Sequence, residues 1–564
     1  MKLRHLKIEN FRGITNLELE LGDTTVLIGE NNAGKTAILD AIRYAMRRVS
    51  SRRGCAFDAY DFHLSDATSD PISALPISIQ LTFREDRPGE WNSKSVSKLS
   101  RAGIAQDDGS GCTSVILKVG AYFDPVAQEY VQNWEFRNPT GKAIPNVADS
   151  ILPMLQKEVP YYYLAALRDV TEHFGAKGAF WRPFLKASEL TPEARINVES
   201  KLKEVNDLIV SSHGSFTKVV EQLREIQQVI SMAGGDDLVS VDAVPARLFD
   251  ILSRAQVNLS SDTGAKIPVG RHGEGTQSLA VLTLFNAFLQ AWNTSEPIVA
   301  LEEPEAHLHP NAVRALWHLI EQIPGQKIIS THSGDLISEV PLDAVIRLYK
   351  RDGVTVASRL KDVSLEPDDL RKFNFHIRHA RGELLFARCW ILGEGETEAT
   401  LLRESARIKH KDLEQAGVRL VTYQTGISLD SCLKIANGLG IHWVVLADND
   451  DQGAGDRRAV LTHLNGRQEE DTLFTMCEKN IEQYLCVNGF SDIYYRLLGE
   501  QPRTKVTAQP QDPDYPLQVA KALPSKLKTH AAQEVALSMS NGSHPVPQLF
   551  QDVIEAALNL TEAP

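Results

Sequence analysis

Gly393-Glu394-Gly395-Glu396-Thr397-Glu398 follows the apolar run Cys389-Trp390-Ile391-Leu392 and precedes the helical pattern Ala399-Thr400-Leu401-Leu402-Arg403-Glu404. An apolar run, a glycine turn and a helical period predict strand, tight turn and helix. Glu394 then ends the strand, Glu398 falls in the first helical turn, and Glu396 between them faces solvent. Three carboxylates in six residues repel one another unless a cation sits among them, and hard oxygen ligands suit Mg²⁺ or Mn²⁺. The plainer alternative is a capped helix whose acids complement the dipole at its N-terminus. These six residues alone leave both readings open.

A second acidic strand end lies downstream. His442-Trp443-Val444-Val445-Leu446-Ala447 reads as a strand running into Asp448-Asn449-Asp450-Asp451. Two residues apart on an extended chain, Asp448 and Asp450 point to one face about 6.6 Å apart, which suits sharing or dividing a pair of cations. Between the two strands the pattern predicts a helix, a strand at Arg419-Leu420-Val421-Thr422, a turn at Gly426 and a helix from Leu429 to Leu439. Strand, carboxylate turn, helix and a second strand ending in Asp-x-Asp resemble the Toprim domain, a compact α/β metal-binding fold of topoisomerases, primases and nucleases. The cysteines Cys55, Cys112, Cys389, Cys432, Cys477 and Cys486 form no CxxC pair, which argues against a primase-type zinc site and against a disulfide framework. Little chain remains for the separate domain that carries a topoisomerase's nucleophilic tyrosine.

The amino-terminal part points to a nucleotide. Leu3, Leu6 and Ile8, then Leu17, Leu19 and Leu21, predict two strands joined through Asn10-Phe11-Arg12-Gly13. The run Thr25-Val26-Leu27-Ile28 feeds Gly29-Glu30-Asn31-Asn32-Ala33-Gly34-Lys35-Thr36 and a helical pattern from Ala37 to Ile42. That is the strand, loop and helix context of the phosphate loop GxxxxGK[ST]. Gly29, Asn31, Asn32 and Gly34 shape a cradle of backbone N–H groups at a helix N-terminus; Lys35 brings charge to the β- and γ-phosphates, and Thr36 a ligand for Mg²⁺. Far downstream, Pro297-Ile298-Val299-Ala300-Leu301 reads as a buried strand ending in Glu302-Glu303-Pro304-Glu305. Acids at such a strand end are where a Mg²⁺-orienting residue and a water-activating base are needed, so Glu302 is assigned to the metal and Glu303 to the water. The strand Lys327-Ile328-Ile329-Ser330 ends in Thr331-His332-Ser333, which makes His332 a candidate for the γ-phosphate against the plainer reading of a structural histidine.

Together these pieces resemble the ABC-type ATPase head of the chromosome-maintenance and recombination ATPases, with Glu-Pro-Glu-Ala-His-Leu-His-Pro (303–310) continuing the second acidic motif. In that family two heads sandwich the nucleotide and one supplies a glycine-rich signature. Here Gly273-Glu274-Gly275-Thr276-Gln277-Ser278 precedes a helical run from Leu279 to Leu289 and makes Gly275 the candidate, although it departs from Leu-Ser-Gly-Gly-Gln. An ABC-type head followed by a Toprim domain resembles the OLD (overcoming lysogenization defect) family of ATP-dependent endonucleases over nearly all 564 residues. The resemblance implies an α/β fold in which Glu394, Glu398, Asp448 and Asp450 bind two divalent ions, Mg²⁺ or Mn²⁺. Glu482, in Asn480-Ile481-Glu482-Gln483-Tyr484-Leu485, matches a later acid near the same centre. Lys528, in Leu527-Lys528-Thr529-His530-Ala531-Ala532, matches a late lysine that neutralises transition-state charge, with Lys526 as the alternative register. Gly393 stands where the family usually has an apolar residue, and Asn449 where glycine is common.

The expected organisation is a head in residues 1–183 and 263–385, a helical insertion in 184–262, and a Toprim domain with a C-terminal helical extension in 386–564. In the insertion, Ile196, Val198, Leu202, Val205, Leu208 and Ile209 recur at helical spacing, as do Val219, Val220, Leu223, Ile226 and Ile230. Such a helix pair either packs on its own head or makes a dimer contact. Residues 82–111 read as a polar excursion, and residues 367–388 interleave Arg371, Lys372, Arg378, Arg381 and Arg388 with Phe373, Phe375 and Phe386. The latter stretch is either a phosphate-backbone surface or a domain connection.

Composition limits the partners. At 43% hydrophobic and 24% charged the chain is of ordinary globular type, and its length exceeds what one core usually serves. A net charge of -13 argues against wholesale polyanion binding and leaves nucleic acid to a local basic patch or a metal. No apolar run approaches the roughly 18 residues of a membrane span, and the start Met1-Lys2-Leu3-Arg4-His5-Leu6 lacks a signal-peptide core. A cytoplasmic location without a membrane partner is therefore expected. The OLD resemblance implies ATP with Mg²⁺ and DNA as ligands, a homodimer, and room for a helicase-like partner protein. The expected activity is ATP-regulated, metal-dependent DNA cleavage in phage defence or DNA repair; its competitor is an ATP-gated DNA clamp whose Toprim metal is structural.

Overall fold

The computed structural model describes residues 1–47, 55–66, 68–165, 191–212, 214, 258–260, 266–291, 296–363, 365–378, 382–423 and 427–562. They belong to two compact units, one of residues 1–165, 295–305 and 325–564, the other of 166–294 and 306–324.

In the first unit, β1 (Lys2–Phe11) and β2 (Ile14–Glu20) open an antiparallel sheet, β3 (Thr24–Gly29) leaves it, and β4 (Ile77–Arg84), β5 (Gln106–Asp107), β6 (Thr113–Asp124) and β7 (Glu129–Arg137) return to it. The order is β2-β1-β4-β6-β5, with β7 also on β6. Leu3 and Leu6 are three apart yet both fully buried; a register shift between Leu3 and His5 against β4 keeps them on the core face. Within 82–111 the chain forms a helix, Ser93–Arg101, pinned by the buried Leu99.

A second sheet runs β14-β13-β3-β12-β11-β8, built from β3, β8 (Tyr161–Leu164), β11 (Ile298–Glu302), β12 (Gln326–Ser330), β13 (Val345–Arg351) and β14 (Val354–Arg359). All its pairings are parallel except β13 with β14. Central strands covered on both faces need continuous apolar runs, and Val26, Leu27 and Ile28 of β3 are all fully buried. The side chain of Gln326 stitches the sheets together: its amide donates to the carbonyls of Leu3 (2.7 Å) and Gly22 (2.8 Å), and its oxygen accepts from the Leu3 N–H (2.8 Å). An antiparallel sheet beside a largely parallel sheet, joined by helices, gives this part of the chain the expected α/β character.

The Toprim part of this unit is a parallel sheet of order β16-β15-β17-β18, from β15 (Cys389–Gly393), β16 (Val418–Thr422), β17 (His442–Ala447) and β18 (Leu473–Thr475). Gly393 pairs with Thr422 on one side and Leu446 on the other. That register delivers Glu394 and Asp448 side by side at the carboxyl edge. Helices Glu396–Ile408, Leu429–Leu439 and Asp451–His463 connect the strands, and later helices, Ile481–Leu485 to Gln548–Glu562, build a core around Phe490, Tyr494, Val519 and Phe550.

The second unit contains the helices Pro192–Ser212, Glu274–Ala291 and Pro310–Glu321 and a hairpin of β9 (Asn258–Ser260) and β10 (Lys266–Pro268). The first expected apolar stripe lies on the helix Pro192–Ser212, where Ile196, Val205 and Leu208 are exposed. The second stripe, Val219 to Ile230, lies outside the described residues, as do Gly426 and Arg381. In the segment 367–388, Arg371 and Lys372 both pair with Asp368, Phe373 is buried and Phe375 exposed. Among the described residues no helix is long and apolar enough to cross a membrane.

Candidate nucleotide and metal sites

The phosphate loop closes on backbone geometry that its glycines permit. At Gly29, with φ 142°, a Cβ would come within 2.1 Å of the Leu348 carbonyl oxygen. Asn32 (φ 65°) and Gly34 (φ 105°) turn the chain into the helix Lys35–Met46, while Asn31 and Asn32 stay exposed. Lys35 is buried, and its ammonium donates to the carbonyls of Gly29 and Glu30, both at 2.7 Å. Burial pushes its pKa down to about 8, opposed by the charges of Glu303 and Glu30. A phosphate oxygen would exchange those dipoles for a full charge.

Glu302 and Glu303 face different neighbours. The Thr36 hydroxyl donates to Glu302 Oε1 at 2.6 Å, and the Tyr163 hydroxyl donates to Glu302 Oε2. Glu303 has a left-handed backbone (φ 43°) and its Oε1 stands 3.6 Å from His332 Nε2. Thr36, Glu302, Glu303 and His332 are thus gathered beside Lys35. Gly275 belongs to the second unit, in the first turn of Glu274–Ala291, where a Cβ would meet the His307 carbonyl oxygen at 3.1 Å. Sequence reasoning gave no role to Tyr163 or Glu305. Glu305 Oε1 accepts from the Thr331 hydroxyl and, at 3.0 Å, from the His332 N–H, fixing the turn that presents His332.

At the Toprim edge, Glu398, Asp448 and Glu482 are nearly inaccessible, at 5%, 8% and 5% exposure. Burial pushes the Asp448 carboxyl up to about 8, and the charges of Glu394, Glu398, Glu482 and Asp450 push the same way. Glu398 rises to about 7, again by burial first and then through Glu394 and Glu482. All five acids therefore share one electrostatic neighbourhood. Asp448 Oδ1 is buried without a hydrogen-bond partner among the described residues, a state that costs about 1–3 kcal/mol or more.

Local donors hold several of the other acids. Asp450 caps the helix Asp451–His463 through the Gly453 N–H (2.9 Å), and Glu398 accepts from the Gly395 N–H (3.0 Å). Lys528 Nζ sits 3.0 Å from Glu482 Oε1, which brings this lysine to the margin of the cluster. Among the described residues no three such side chains already stand at ligating distance around one point.

Two glycines leave room for the acids. A Cβ on Gly393 would approach Glu398 Cβ to 3.1 Å, and one on Gly453 would fall 1.8 Å from the Asp448 carbonyl oxygen. Sequence reasoning missed Gly453 and the pair Tyr423 and Asp456. The Tyr423 hydroxyl donates to Asp456 Oδ2 at 2.7 Å in a buried setting, and the Tyr423 N–H donates to the Gly393 carbonyl at 3.2 Å. The available signal was position: Tyr423 follows a strand end, and Asp456 lies six residues beyond Asp450. An all-oxygen donor set, buried like charges and an orphaned carboxylate oxygen fit a hard divalent cation.

The family described as "Protein of unknown function (DUF2813)" matches residues 1–209 and 258–383. The chain belongs to the DUF2813 family. This DUF2813 protein also matches the "Overcoming lysogenization defect protein-like, TOPRIM domain" over residues 385–450, so the OLD resemblance read from its motifs holds. That match contains Glu394, Glu398, Asp448 and Asp450 and stops short of Glu482 and Lys528. The chain is 28% identical to "Uncharacterized protein YbjD" of Escherichia coli (strain K12), over 99% of each chain. It is 24% identical to the "OLD nuclease" of Thermus scotoductus, over 83% of this chain and 85% of the relative. It is also 23% identical to "Endonuclease GajA" of Bacillus cereus (strain VD045), over 82% and 77%.

Proposed function

We propose that this DUF2813 protein is an ATP-regulated, divalent-metal-dependent DNA endonuclease acting in phage defence or DNA repair. The observation that carries the reading is the buried carboxylate cluster around Asp448, with Lys528 at its margin. Relatives called OLD nuclease and endonuclease GajA support the substrate class. Glu394, Glu398, Asp448, Asp450 and Glu482 would hold two ions, Mg²⁺ or Mn²⁺. Such ions supply charge stabilisation to both the attacking water and the departing oxygen of a phosphodiester.

The protein's own groups do the rest. The strand ends of β15 and β17 hold Glu394 and Asp448 in register, and Lys528 adds positive charge toward the phosphate that changes charge during cleavage. At the head, Lys35 and the loop N–H groups would hold the ATP phosphates, Thr36 and Glu302 would hold Mg²⁺, and Glu303 with His332 would orient water. Two heads would form a homodimer around nucleotide, with Gly275 contributed by the signature. In this reading residues 184–262 are an insertion between head segments 1–183 and 263–385, ahead of a Toprim nuclease in 386–564.

Supercoiled plasmid incubated with Mg²⁺ or Mn²⁺, with and without ATP, tests the proposal. Nicked or linear product is expected from the wild type and none from the Asp448→Ala, Asp450→Ala double variant, which still binds ATP. Undiminished cleavage by that variant would sink the site assignment; intact plasmid with the wild type would favour the clamp.

A further inference from the structure

An ion pair ties the phosphate loop to the strand that leads to Glu394. Glu30, the second residue of the loop, receives the Arg388 guanidinium on both carboxylate oxygens, Nε to Oε1 at 2.5 Å and Nη2 to Oε2 at 2.7 Å. Such two-point pairing fixes orientation as well as distance. Glu30 has a second tie, because its backbone carbonyl accepts from the Lys35 ammonium at 2.7 Å. A phosphate arriving at Lys35 competes for that ammonium. Loop occupancy therefore acts on the residue that grips Arg388.

Arg388 in turn stands at the base of three Toprim strands. It immediately precedes β15; its N–H donates to the Gly417 carbonyl just before β16 (2.8 Å), and its carbonyl accepts from the N–H of His442, the first residue of β17 (2.8 Å). The opposite ends of β15 and β17 present Glu394 and Asp448, with Glu394 about 20 Å from Arg388 along the strand. Cys389 to Leu392 and Trp443 to Val445 are fully buried, and close-packed strands transmit displacement instead of absorbing it.

A nearby arginine makes a useful contrast. Arg347, on β13, is 3% exposed and donates to the carbonyls of Leu385 (3.0 Å), Ala387 (2.7 Å) and Leu439 (2.7 Å). Those bonds join β13 to the segment ahead of β15 and to the end of the helix Leu429–Leu439 without touching the loop. Both arginines border a cleft of about 1120 Å³, but the Arg388 side chain is 48% exposed and held from one side, whereas Arg347 is packed in among its acceptors.

We propose that Arg388 is a positioning residue that reports phosphate-loop occupancy, through Glu30, to the strand ends carrying the metal carboxylates. The effect on cleavage rests on the nuclease reading; the coupling itself does not. Hydrogen exchange with and without Mg²⁺-ATP, in the wild type, Arg388→Gln and Arg388→Lys, tests it beside the plasmid assay. In the wild type, ATP should protect 29–38 and change exchange across 389–394. In Arg388→Gln the first effect should persist and the second vanish. The ratio of cleavage rates with and without ATP should then fall toward one from about 5-fold or more, with nucleotide-free cleavage little altered, and Arg388→Lys should recover part of the response.

The pair is half-exposed, and losing such a pair costs little stability, so the variants should fold. The proposal is overturned if 389–394 still responds to ATP in Arg388→Gln, or if the wild type fails to respond there while 29–38 is protected. It also falls if ATP leaves 29–38 unchanged in the wild type, because the loop then takes no nucleotide to report. A wild type that responds in exchange yet leaves plasmid intact sinks the nuclease reading and leaves the coupling standing.

Discussion

The phosphate loop and the carboxylate centre share a plan and differ in sign. Each lies where parallel strands end and a helix begins: β3 and β11 with the helix Lys35–Met46, β15 and β17 with the helices Glu396–Ile408 and Asp451–His463. The loop buries a cation, and burial lowers Lys35 to about 8. The Toprim edge buries carboxyl groups, and burial raises Asp448 to about 8. A lysine and an aspartate are brought from opposite directions to nearly the same value. In the proposed reading the first site receives an anion and the second a cation.

The comparison breaks most visibly if the two sites do not separate on mutation. Asp448→Asn with Asp450→Asn should abolish Mn²⁺ binding at the Toprim edge, read by calorimetry, while ATP affinity stays as in the wild type. Lys35→Ala should do the reverse, weakening ATP about 100-fold, equivalent to about 2.7 kcal/mol, and sparing Mn²⁺. A lysine variant that lost Mn²⁺ as severely as ATP would mean that the sites are one structural unit, and their contrast would lose its meaning.

A smaller effect distinguishes the two C-terminal lysines. Lys528→Ala should lower plasmid cleavage about 10- to 100-fold at unchanged ATP affinity, because it removes charge from the margin of the centre. Lys526→Ala should be close to wild type. The opposite ranking would mean that the Lys528 contact with Glu482 is a salt bridge of structure alone.

How far the sequence reading reached follows from the same physics. Buried parallel strands announce themselves as unbroken apolar runs, so β3, β11, β15 and β17 were legible to within a residue or two. The helix Ser93–Arg101 was not, because it is largely polar and held by Leu99. Carboxylates at strand ends were legible because turns that bear acids are short. Tyr423 and Asp456 meet across 33 residues, and Arg388 finds Glu30 across 358; no spacing rule carries such contacts. The motif favoured Lys528 with Lys526 as the alternative register, and the contact of Lys528 with Glu482 depends on how the chain enters the helix Lys528–Ser540, which no spacing rule carries.

The smallest predicted effect is also the one whose sign is least intuitive. Asp448 and Glu398 start from ordinary values of 3.8 and 4.5 and rise on folding to about 8 and about 7. Between those limits the native state holds protons that the unfolded chain has released, so stability falls as pH rises. The metal-free protein should therefore melt a few degrees lower at pH 8 than at pH 6. That is the reverse of an ordinary salt-bridged carboxylate, which stabilises above its unfolded value. Mn²⁺ selects the ionised acids, so its stabilising increment should be larger at pH 8, and its binding near pH 7 should release protons, visible as a heat that depends on the buffer. In Asp448→Asn the melting difference should shrink. If the metal-free wild type instead melts higher at pH 8, the carboxylates are ionised and paired, and the opposition between a buried cation at the loop and buried acids at the Toprim edge fails.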